Sequence, residues 1–252
     1  MTDLLLSLFP GIGLLDSAFE AEGFCVVRGP DVLWGGDVRR FHPPAGRFDG
    51  LIAGPPCQCF SSLANIVRHN GHQPKFGNLI PEFERCVAEA QPRWFVMEEV
   101  PRAPSPCVDG YGVHSFILNN RQLGESQNRK RRISFGSRGD RRVLQIDVVA
   151  IESPVFAYAA TGGHAGTLAL VDRRRVGKAN SVREYRRGTS CLGGNSKTAW
   201  AFEELKRLQG LPAEFDLPPF TVAAKCQAVG NGVPIAMGRA IARAVREMTA
   251  TT

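Results

Sequence analysis

The chain has 252 residues, of which 43% are hydrophobic and 22% charged, a composition that suits one large domain or one domain with a smaller insert. No apolar run approaches the roughly 20 residues that a transmembrane helix needs. The start, MTDLLLSLFPGIG, has neither the basic region nor the cleavage site of a signal peptide. We therefore expect a soluble intracellular protein.

The positive charge is concentrated in one stretch. The formal net charge is +7, and residues 137–197 hold 11 Lys and Arg against five Asp and Glu. A concentrated positive field is what a polyanion such as nucleic acid would meet. A solvated charged surface gives the same pattern, so charge alone leaves both interpretations open.

The seven cysteines form no regular disulfide pattern, and their odd number favours a reduced state inside a cell. Cys57 and Cys59 are too close in sequence for the usual zinc pair. His69 and His72 have no cysteine pair at zinc-finger spacing beside them. We expect no structural metal.

The first half of the chain alternates predicted strands and helices. The apolar run LLLSLF stops at Pro10–Gly13, and an amphipathic helix follows from Leu14 to near Gly23. Further strands are predicted for CVVRG, FDGLIAGPP, RWFVMEEV and RRISFGS, and a helix for GNLIPEFERCVAEAQP. This alternation predicts an α/β fold whose mostly parallel sheet has helices on both faces.

Residues 137–197 break the alternation. They are rich in Gly and Arg and contain few periodic segments, which predicts a small basic insert. Regular helices return in AWAFEELKRLQGLP, which Gly210 and Pro212 end, and in PIAMGRAIARAVREM. We therefore expect residues 1–136 and 198–252 to form the main domain.

Three polar clusters follow the predicted strands, at Pro10–Gly13, Pro55–Ser61 and Glu98–Val100. In a parallel sheet, ligands bind at the carboxyl ends of the strands, so these clusters predict a site. Two prolines before Cys57 fix the backbone and give its thiol a rigid mount. Taken alone, however, a cysteine at a strand end is more often a small hydrophobic residue.

Two charged stretches are candidates for chemistry. Glu98 and Glu99 point to opposite faces of a strand, so only one can face a site, where apolar surroundings would raise its pKa. In QNRKRR, the side chains of Gln127, Arg129 and Arg131 would share one side of an extended backbone and form a cationic wall. A solvated basic run is the alternative.

The turn around Gly11 and Gly13 leads from strand to helix, where a ligand can approach the backbone. Asp31 could accept hydrogen bonds from ribose hydroxyls and Asp37 from an adenine amino group, although each could simply form a turn. The third glycine of a dinucleotide fingerprint is absent, which disfavours an oxidoreductase.

Together and in this order, these stretches resemble the DNA cytosine-5 methyltransferase family. LFPGIG resembles its cofactor turn, GPPCQCFS its Pro-Cys-Gln loop, MEEV its Glu-Asn-Val signature and QNRKR its Gln-x-Arg-x-Arg motif. LKRLQGLP resembles the helix that supports the recognition region, and VGNGVPIAMGRAIA resembles the terminal Gly-Asn-x-Val-Pro segment. The resemblance covers roughly residues 1–136 and 198–252.

The resemblance implies a Rossmann-like S-adenosylmethionine-dependent methyltransferase fold in which residues 137–197 are a small target-recognition insert. It implies methyl transfer to C5 of a flipped-out cytosine in double-stranded DNA, through a covalent bond between Cys57 and C6, with S-adenosylhomocysteine as product. Glu98 would hydrogen-bond or protonate N3 of the base, Arg131 would hold the O2 edge, and Arg129 would support Arg131.

The resemblance also implies a cofactor site, consisting of Phe9, Gly11, Gly13, Asp31, Asp37, Pro56, Leu79, Asn231 and Val233. Contacts to the nucleic acid are expected from Gln58, Ser61, Gln127, Arg173, Arg174 and Arg175. Three residues depart from the family pattern: Ser7 stands where Asp is frequent, Leu14 where Gly is frequent, and Glu99 where the signature has Asn.

We expect a cytoplasmic monomer, in a bacterium or in a phage-infected host cell. A role in restriction–modification and one in phage self-protection both remain open. Two alternatives keep the resemblance but change the function: the same chemistry on RNA, as in the tRNA-methylating branch of the family, and a catalytically inactive DNA-binding homologue.

Overall fold

The computed structural model describes residues 2–60, 76–149, 155–158, 170–172 and 199–250. The chain divides into two compact units. Unit 1 comprises Met1–Leu118, Arg131–Ile146 and Ile241–Thr252, and unit 2 comprises Asn119–Lys130 and Asp147–Ala240. Because most of residues 137–197 lie outside the described residues, the predicted insert stays a prediction.

A six-stranded sheet forms the centre of unit 1. Its strands are β1 (Leu4–Leu8), β2 (Cys25–Arg28), β3 (Gly50–Ala53), β4 (Trp94–Glu99), β5 (Tyr111–Asn119) and β7 (Lys130–Arg138). Their order in the sheet is β2-β1-β3-β4-β7-β5. Strand β1 pairs in parallel with β2 and β3, β3 pairs in parallel with β4, and β7 runs antiparallel to β4. The predicted mostly parallel α/β sheet is therefore confirmed.

Five helices accompany the strands in the described part of the chain. The four that the sequence predicted are α1 (Leu14–Ala21), α2 (Ile80–Ala90), α3 (Ala199–Gln209) and α5 (Ile235–Ala250). Helix α2 has a proline in its first turn and ends at Gln91, in the left-handed conformation directly before Pro92. Helix α4 (Val222–Asn231) was not predicted; Thr221 caps it by accepting a hydrogen bond from the Ala224 N–H.

The core of unit 1 holds the carboxyl end of β4 in place. On one face, Phe95 and Met97 are completely buried in a cluster with Phe83 of α2, and the rings of Phe83 and Phe95 meet edge to face at 5.4 Å. On the other face, the Trp94 ring stacks on Phe19 of α1. Close packing on both faces fixes where the residues that follow Met97 emerge.

Unit 2 contains a small three-stranded sheet in the order β6-β8-β9. Strand β6 (Gln127–Asn128) pairs in parallel with β8 (Val155–Tyr158), which pairs antiparallel with β9 (Leu170–Asp172). Helices α3 and α4 also belong to this unit. None of the helices in the described residues is both long and apolar enough to cross a membrane.

We predict that Gly50→Ala destabilises unit 1. Gly50 lies opposite Trp94 in the β3–β4 pairing, and a Cβ at position 50 would lie 2.3 Å from Cζ2 of the indole. Overpacking of this kind costs about 1–3 kcal/mol in the free energy of unfolding, measurable by urea denaturation. In a Trp94→Phe background, where the bulkier ring is gone, the same substitution should cost less. Equal losses in both backgrounds would contradict this account.

Candidate cofactor and nucleophile site

The turn after β1 has an unusual backbone. Phe9, Gly11 and Gly13 all have positive φ values, of 55°, 56° and 80°. A positive φ is uncommon for a residue with a Cβ, so Phe9 holds a strained conformation at the end of β1. The Gly13 N–H donates to the Pro10 carbonyl at 2.8 Å and closes the turn that leads into α1.

A buried polar network lies next to this turn, which the sequence did not predict. Ser7 Oγ donates to Asp16 Oδ1 at 2.5 Å, and Arg28 Nε lies 3.0 Å from Asp16 Oδ2. Burial raises the pKa of Asp16, whereas Ser7 and Arg28 favour its charged form. The Arg28 guanidinium also covers Gly13, where a Cβ would lie 2.7 Å from Nη2. The signal in the sequence is an acidic residue on the apolar side of the predicted helix.

The Asp31 side chain stabilises a turn by accepting two backbone hydrogen bonds. Its Oδ2 accepts from the Gly11 N–H at 2.8 Å and its Oδ1 from the Leu33 N–H at 2.7 Å. The Trp34 indole N–H donates to the Gly11 carbonyl at 2.7 Å. The segment from Asp31 to Trp34 is therefore tied to both polar groups of Gly11, and the role of Asp31 toward ribose stays a prediction.

A pocket at the carboxyl ends of β1 and β3 brings together five of the nine predicted cofactor residues. Apolar and aromatic side chains provide most of its wall, and the Asp37 carboxylate adds an acceptor. Such a wall suits a flat heteroaromatic ring that carries an amino group. The lining residues are Phe9, Asp31, Asp37, Pro56 and Leu79, which were predicted, and Pro30, Val32, Gly36, Val38, Arg39 and Phe76, which were not.

Arginine side chains hold the pocket wall in place. Arg85 of α2 donates Nη2 to the carbonyls of Val38 and Phe41, at 2.8 and 3.0 Å. Arg39 donates Nη2 to the Phe76 carbonyl at 2.9 Å, and its N–H donates to Asp37 Oδ1 at 3.0 Å. These bonds tie the segment after Asp37 to the helix and to the segment before Leu79, so the pocket wall is fixed by long-range contacts.

The predicted nucleophile lies in a short rigid loop after β3. Pro56 has φ −60° and ψ 115°, and a 3₁₀ turn spans Cys57–Cys59. The Phe60 N–H donates to the Cys57 carbonyl at 3.0 Å, and Cys57 is half-buried. Gln58 is exposed, whereas Ser61 lies outside the described residues, as do Arg173, Arg174 and Arg175.

Glu98 and Arg131 form a largely buried ion pair at the end of β4. Arg131 Nε lies 2.8 Å from Glu98 Oε1, and the two side chains are 15% and 10% exposed. A Cβ on Gly54 would lie 3.7 Å from Glu98 Oε2, so the Glu98 carboxylate lies beside the loop that leads to Cys57. The structure thus brings together Glu98, Arg131 and the Gly54–Cys57 loop within unit 1.

The prediction of one extended backbone from Gln127 to Arg131 is wrong. The Arg129 N–H donates to the Gln127 carbonyl at 2.9 Å, which closes a tight turn between β6 and β7. The Gln127 side chain donates to the Leu208 carbonyl at 3.3 Å, at the end of α3. The backbone turns because these groups have partners inside unit 2, so the three side chains do not form a single wall.

Arg129 instead binds backbone carbonyls at the end of α4. Its guanidinium donates to Gly230, Asn231 and Gly232 at 3.2, 3.5 and 2.9 Å. The last carbonyls of a helix have no partner within the helix, and a positive charge is favourable at this end. A catalytic role for Arg129 stays a prediction.

Gln209 is a second buried residue that binds this helix end, and the sequence did not predict it. Its Nε2 donates to the carbonyls of Val229 and Gly232, at 2.7 and 3.0 Å. Together with Arg129 it fixes the backbone around Asn231 and Val233, two predicted cofactor residues. The signal available in the sequence is its place directly before Gly210 at the end of a predicted helix.

We predict that Gln209→Leu destabilises the protein, since two buried carbonyls lose a donor. The Val229 carbonyl keeps the Gly232 N–H as a donor and the Gly232 carbonyl keeps Arg129. The cost is therefore that of two lost hydrogen bonds, about 0.5–1.5 kcal/mol each in the free energy of unfolding. The matched control is Gln145→Leu, because Gln145 is exposed. Urea denaturation should show a loss for the first variant and little change for the second. Similar midpoints for both variants would contradict a capping role.

Comparison with known proteins supports the resemblance. Residues 35–106 match the family model of the C-5 cytosine-specific DNA methylases. A type II methyltransferase of Fusobacterium nucleatum, M.FnuDI, is 29% identical over 57% of this chain and 49% of its own length. M1.HphI of Haemophilus parahaemolyticus is 27% identical over 80% of this chain and 69% of its own length. The chain thus spans about half the length of the first of these relatives.

The fold comparison agrees. A putative DNA modification methyltransferase encoded within a prophage of E. coli aligns with a TM-score of 0.64 at 15% identity, over 99% of this chain and 100% of that one. The resemblance to the cytosine-5 methyltransferase family and the methyltransferase fold that it implied are therefore confirmed.

Proposed function

We propose that this chain transfers a methyl group from S-adenosylmethionine to C5 of cytosine in DNA, with Cys57 as the nucleophile. The observation that carries the proposal is the Glu98–Arg131 ion pair beside the loop of Cys57. The pair places a carboxyl group and a guanidinium at one strand end, and these two groups could hydrogen-bond the polar edge of a pyrimidine. The match of residues 35–106 to the cytosine-specific methylases supports the choice of base.

The chemistry requires a covalent step because C5 of cytosine is a poor nucleophile. The Cys57 thiolate would add to C6 and make C5 nucleophilic enough to take the methyl group that S-adenosylmethionine supplies, with S-adenosylhomocysteine as the product. The C5 proton would then pass to water, and the Cys57–C6 bond would break and release the thiolate. The loop geometry favours this role, since the prolines before Cys57 limit the motion of the attacking sulfur.

Glu98 and Arg131 would stabilise the charge that develops on the ring. The Glu98 carboxyl group would donate a hydrogen bond or its proton to N3, which is an acceptor, and the Arg131 guanidinium would hold O2. Their 2.8 Å contact in a largely buried setting orients both groups before the base arrives. Such preorganised charges are worth more in a site that excludes water than in solution.

The lining of this pocket has the kinds of group that the adenosine part of S-adenosylmethionine would contact. Phe9, Val38, Phe76 and Leu79 offer apolar surface for a flat ring, and Asp37 Oδ2 can accept from an amino group. S-adenosylmethionine would supply the methyl group. Asn231 and Val233 would complete the binding site, as the resemblance implies.

DNA would be bound with the target cytosine turned out of the helix, because Cys57 cannot reach C6 inside a base stack. The positive charge of residues 137–197 would meet the phosphates. The match of residues 35–106 to the C-5 cytosine-specific DNA methylases supports DNA over RNA as the polymer.

We predict that Cys57→Ser abolishes methyl transfer and leaves S-adenosylmethionine binding near normal. A serine hydroxyl is far less nucleophilic than a thiolate, so turnover should fall at least about a thousandfold. The measurement is transfer of labelled methyl groups to duplex DNA and, in parallel, to tRNA. Cys59→Ser is the matched control, since Cys59 ends the same turn.

A substrate with 5-fluorocytosine sharpens this test. The wild type should become covalently attached to it at Cys57, because fluorine blocks loss of the C5 substituent. Attachment that persists in Cys57→Ser, or turnover that survives the substitution, would refute the nucleophile. Transfer to tRNA but not to DNA would show that the substrate is RNA, and the reaction proposed at Cys57 would stay the same.

We predict that Asp37→Ala weakens S-adenosylmethionine binding about five- to thirtyfold, since a hydrogen bond to the ligand is worth about 1–2 kcal/mol. Calorimetric titration with S-adenosylhomocysteine measures the dissociation constant without turnover. Asp109→Ala is the control, because Asp109 is exposed and does not line the pocket. An unchanged dissociation constant for Asp37→Ala would place the ligand elsewhere.

A further inference from the structure

The Asp37 carboxylate of the cofactor pocket belongs to one short turn. Its Oδ1 accepts from the Arg39 N–H at 3.0 Å and caps the 3₁₀ turn Val38–Arg40. With Oδ1 engaged in this way, Oδ2 is the oxygen that can accept from a ligand in the pocket. The direction in which Oδ2 points therefore depends on where this turn lies.

The turn forms few hydrogen bonds of its own. The Arg40 N–H donates to the Asp37 carbonyl at 3.1 Å. The Phe41 N–H donates to the Val38 carbonyl, also at 3.1 Å. A 3₁₀ turn has poorer hydrogen-bond geometry than an α-helix, so a single turn depends on contacts with the rest of the protein. The Val38 side chain makes one of these contacts, because it is buried in the core of unit 1.

Arg85 of α2 holds the turn from outside. Its Nη2 donates to the Val38 carbonyl at 2.8 Å and to the Phe41 carbonyl at 3.0 Å. Val38 begins the turn and Phe41 follows its last residue, so one nitrogen of Arg85 binds the backbone at both ends of the turn. Hydrogen bonds from a charged donor are about twice as strong as those between neutral groups.

Two carboxylates of the same helix fix the Arg85 guanidinium. Nε lies 2.9 Å from Glu82 Oε2, and Nη1 lies 2.8 Å from Glu89 Oε1. The His42 imidazole joins this group, with Nδ1 3.1 Å from Glu89 Oε2 and 3.3 Å from Nη1. All three guanidinium nitrogens are therefore engaged, and the plane of the group has one orientation.

Helix α2 is a rigid support for these contacts. Phe83 and Val87 are completely buried, in the cluster that contains Phe95 of β4. Leu79, directly before the helix, lines the pocket. Arg85 itself is not among the lining residues that the structure describes. Its effect on a bound ligand would therefore pass through the turn that it holds.

We propose that Arg85 is a positioning residue that makes the pocket selective for an adenine amino group, because it holds the turn that carries Asp37. The inference rests on the proposed function, in which Asp37 accepts from the amino group of S-adenosylmethionine. A site built to hydrogen-bond one group rejects an analogue without that group, because its own polar atom is then left unpaired. Such rejection requires an acceptor that cannot move aside, and Arg85 provides this constraint.

The test compares S-adenosylhomocysteine with S-inosylhomocysteine, in which a carbonyl replaces the amino group. Calorimetric titration gives both dissociation constants without turnover. The wild type should prefer S-adenosylhomocysteine about tenfold or more, since the analogue loses a hydrogen bond and turns a carbonyl toward a carboxylate. In Arg85→Lys this preference should fall below about threefold, because one ammonium group cannot bind both carbonyls and both carboxylates in the same geometry.

Three controls separate positioning from general stability. Arg47→Lys, at an exposed arginine, should keep the wild-type preference. Gly50→Ala should keep it too, although it is expected to destabilise unit 1, because Gly50 is not part of the described pocket lining. In an Asp37→Ala background, Arg85→Lys should leave the preference unchanged, since its effect passes through Asp37. Glu89→Gln weakens the hold on Nη1 and is the milder variant if Arg85→Lys does not fold.

Each outcome bears on one proposal or on both. A preference that falls in Arg85→Lys and stays in Gly50→Ala supports the positioning role. A preference that survives Arg85→Lys, or falls equally in Gly50→Ala, overturns this role and leaves the proposed function intact. Equal binding of both ligands by the wild type also overturns the role, because Asp37 then does not recognise the amino group. A wild type that binds neither ligand overturns the proposed cofactor and the role of Arg85 with it.

Discussion

The ion pair between Glu98 and Arg131 is the interaction on which the proposed site depends. Two opposite charges that are 10–15% exposed need each other, because either one alone would carry a large desolvation penalty. The pair exists because β7 runs antiparallel to β4 and pairs Arg132 with Glu99, which places Arg131 next to the end of β4. The hydrophobic packing of Phe95 and Met97 in turn fixes where that strand ends. The position of the site therefore depends on the order of the strands and on the packing of the core more than on the loops.

Much of unit 1 could be predicted from the sequence, for identifiable reasons. Strands β1, β3 and β4 are short apolar runs that end in Gly, Pro or Glu, and parallel strands bring such ends to one edge of a sheet. That rule accounts for Phe9 and Pro56 in one pocket, whereas Leu79 joins them from the start of α2. Strand β5 was not predicted because YGVHSFILN mixes Gly, His and Ser with apolar residues and stays half-buried. Helix α4 was not predicted because VAAKCQAVGN has little amphipathic character.

The long-range polar contacts could not be predicted from the sequence. Nothing in QNRKRR indicates that the backbone turns at Arg129, because the cause is a set of carbonyls about a hundred residues later. Gln209 and the network of Ser7, Asp16 and Arg28 were missed for the same reason. Periodicity reports which face of an element is apolar, whereas hydrogen-bond partners depend on which elements become neighbours.

The contact of Arg129 with the end of α4 also bears on how the chain reaches its native state. The two partners are separated by 101 to 103 residues, so their meeting closes a long loop. Contacts at this separation form late, because the entropy of loop closure is lost before the contact compensates for it. During synthesis, Arg129 leaves the ribosome long before Gly230 exists. Until then, its guanidinium has to stay hydrated, and assembly of unit 2 waits for the last quarter of the polypeptide.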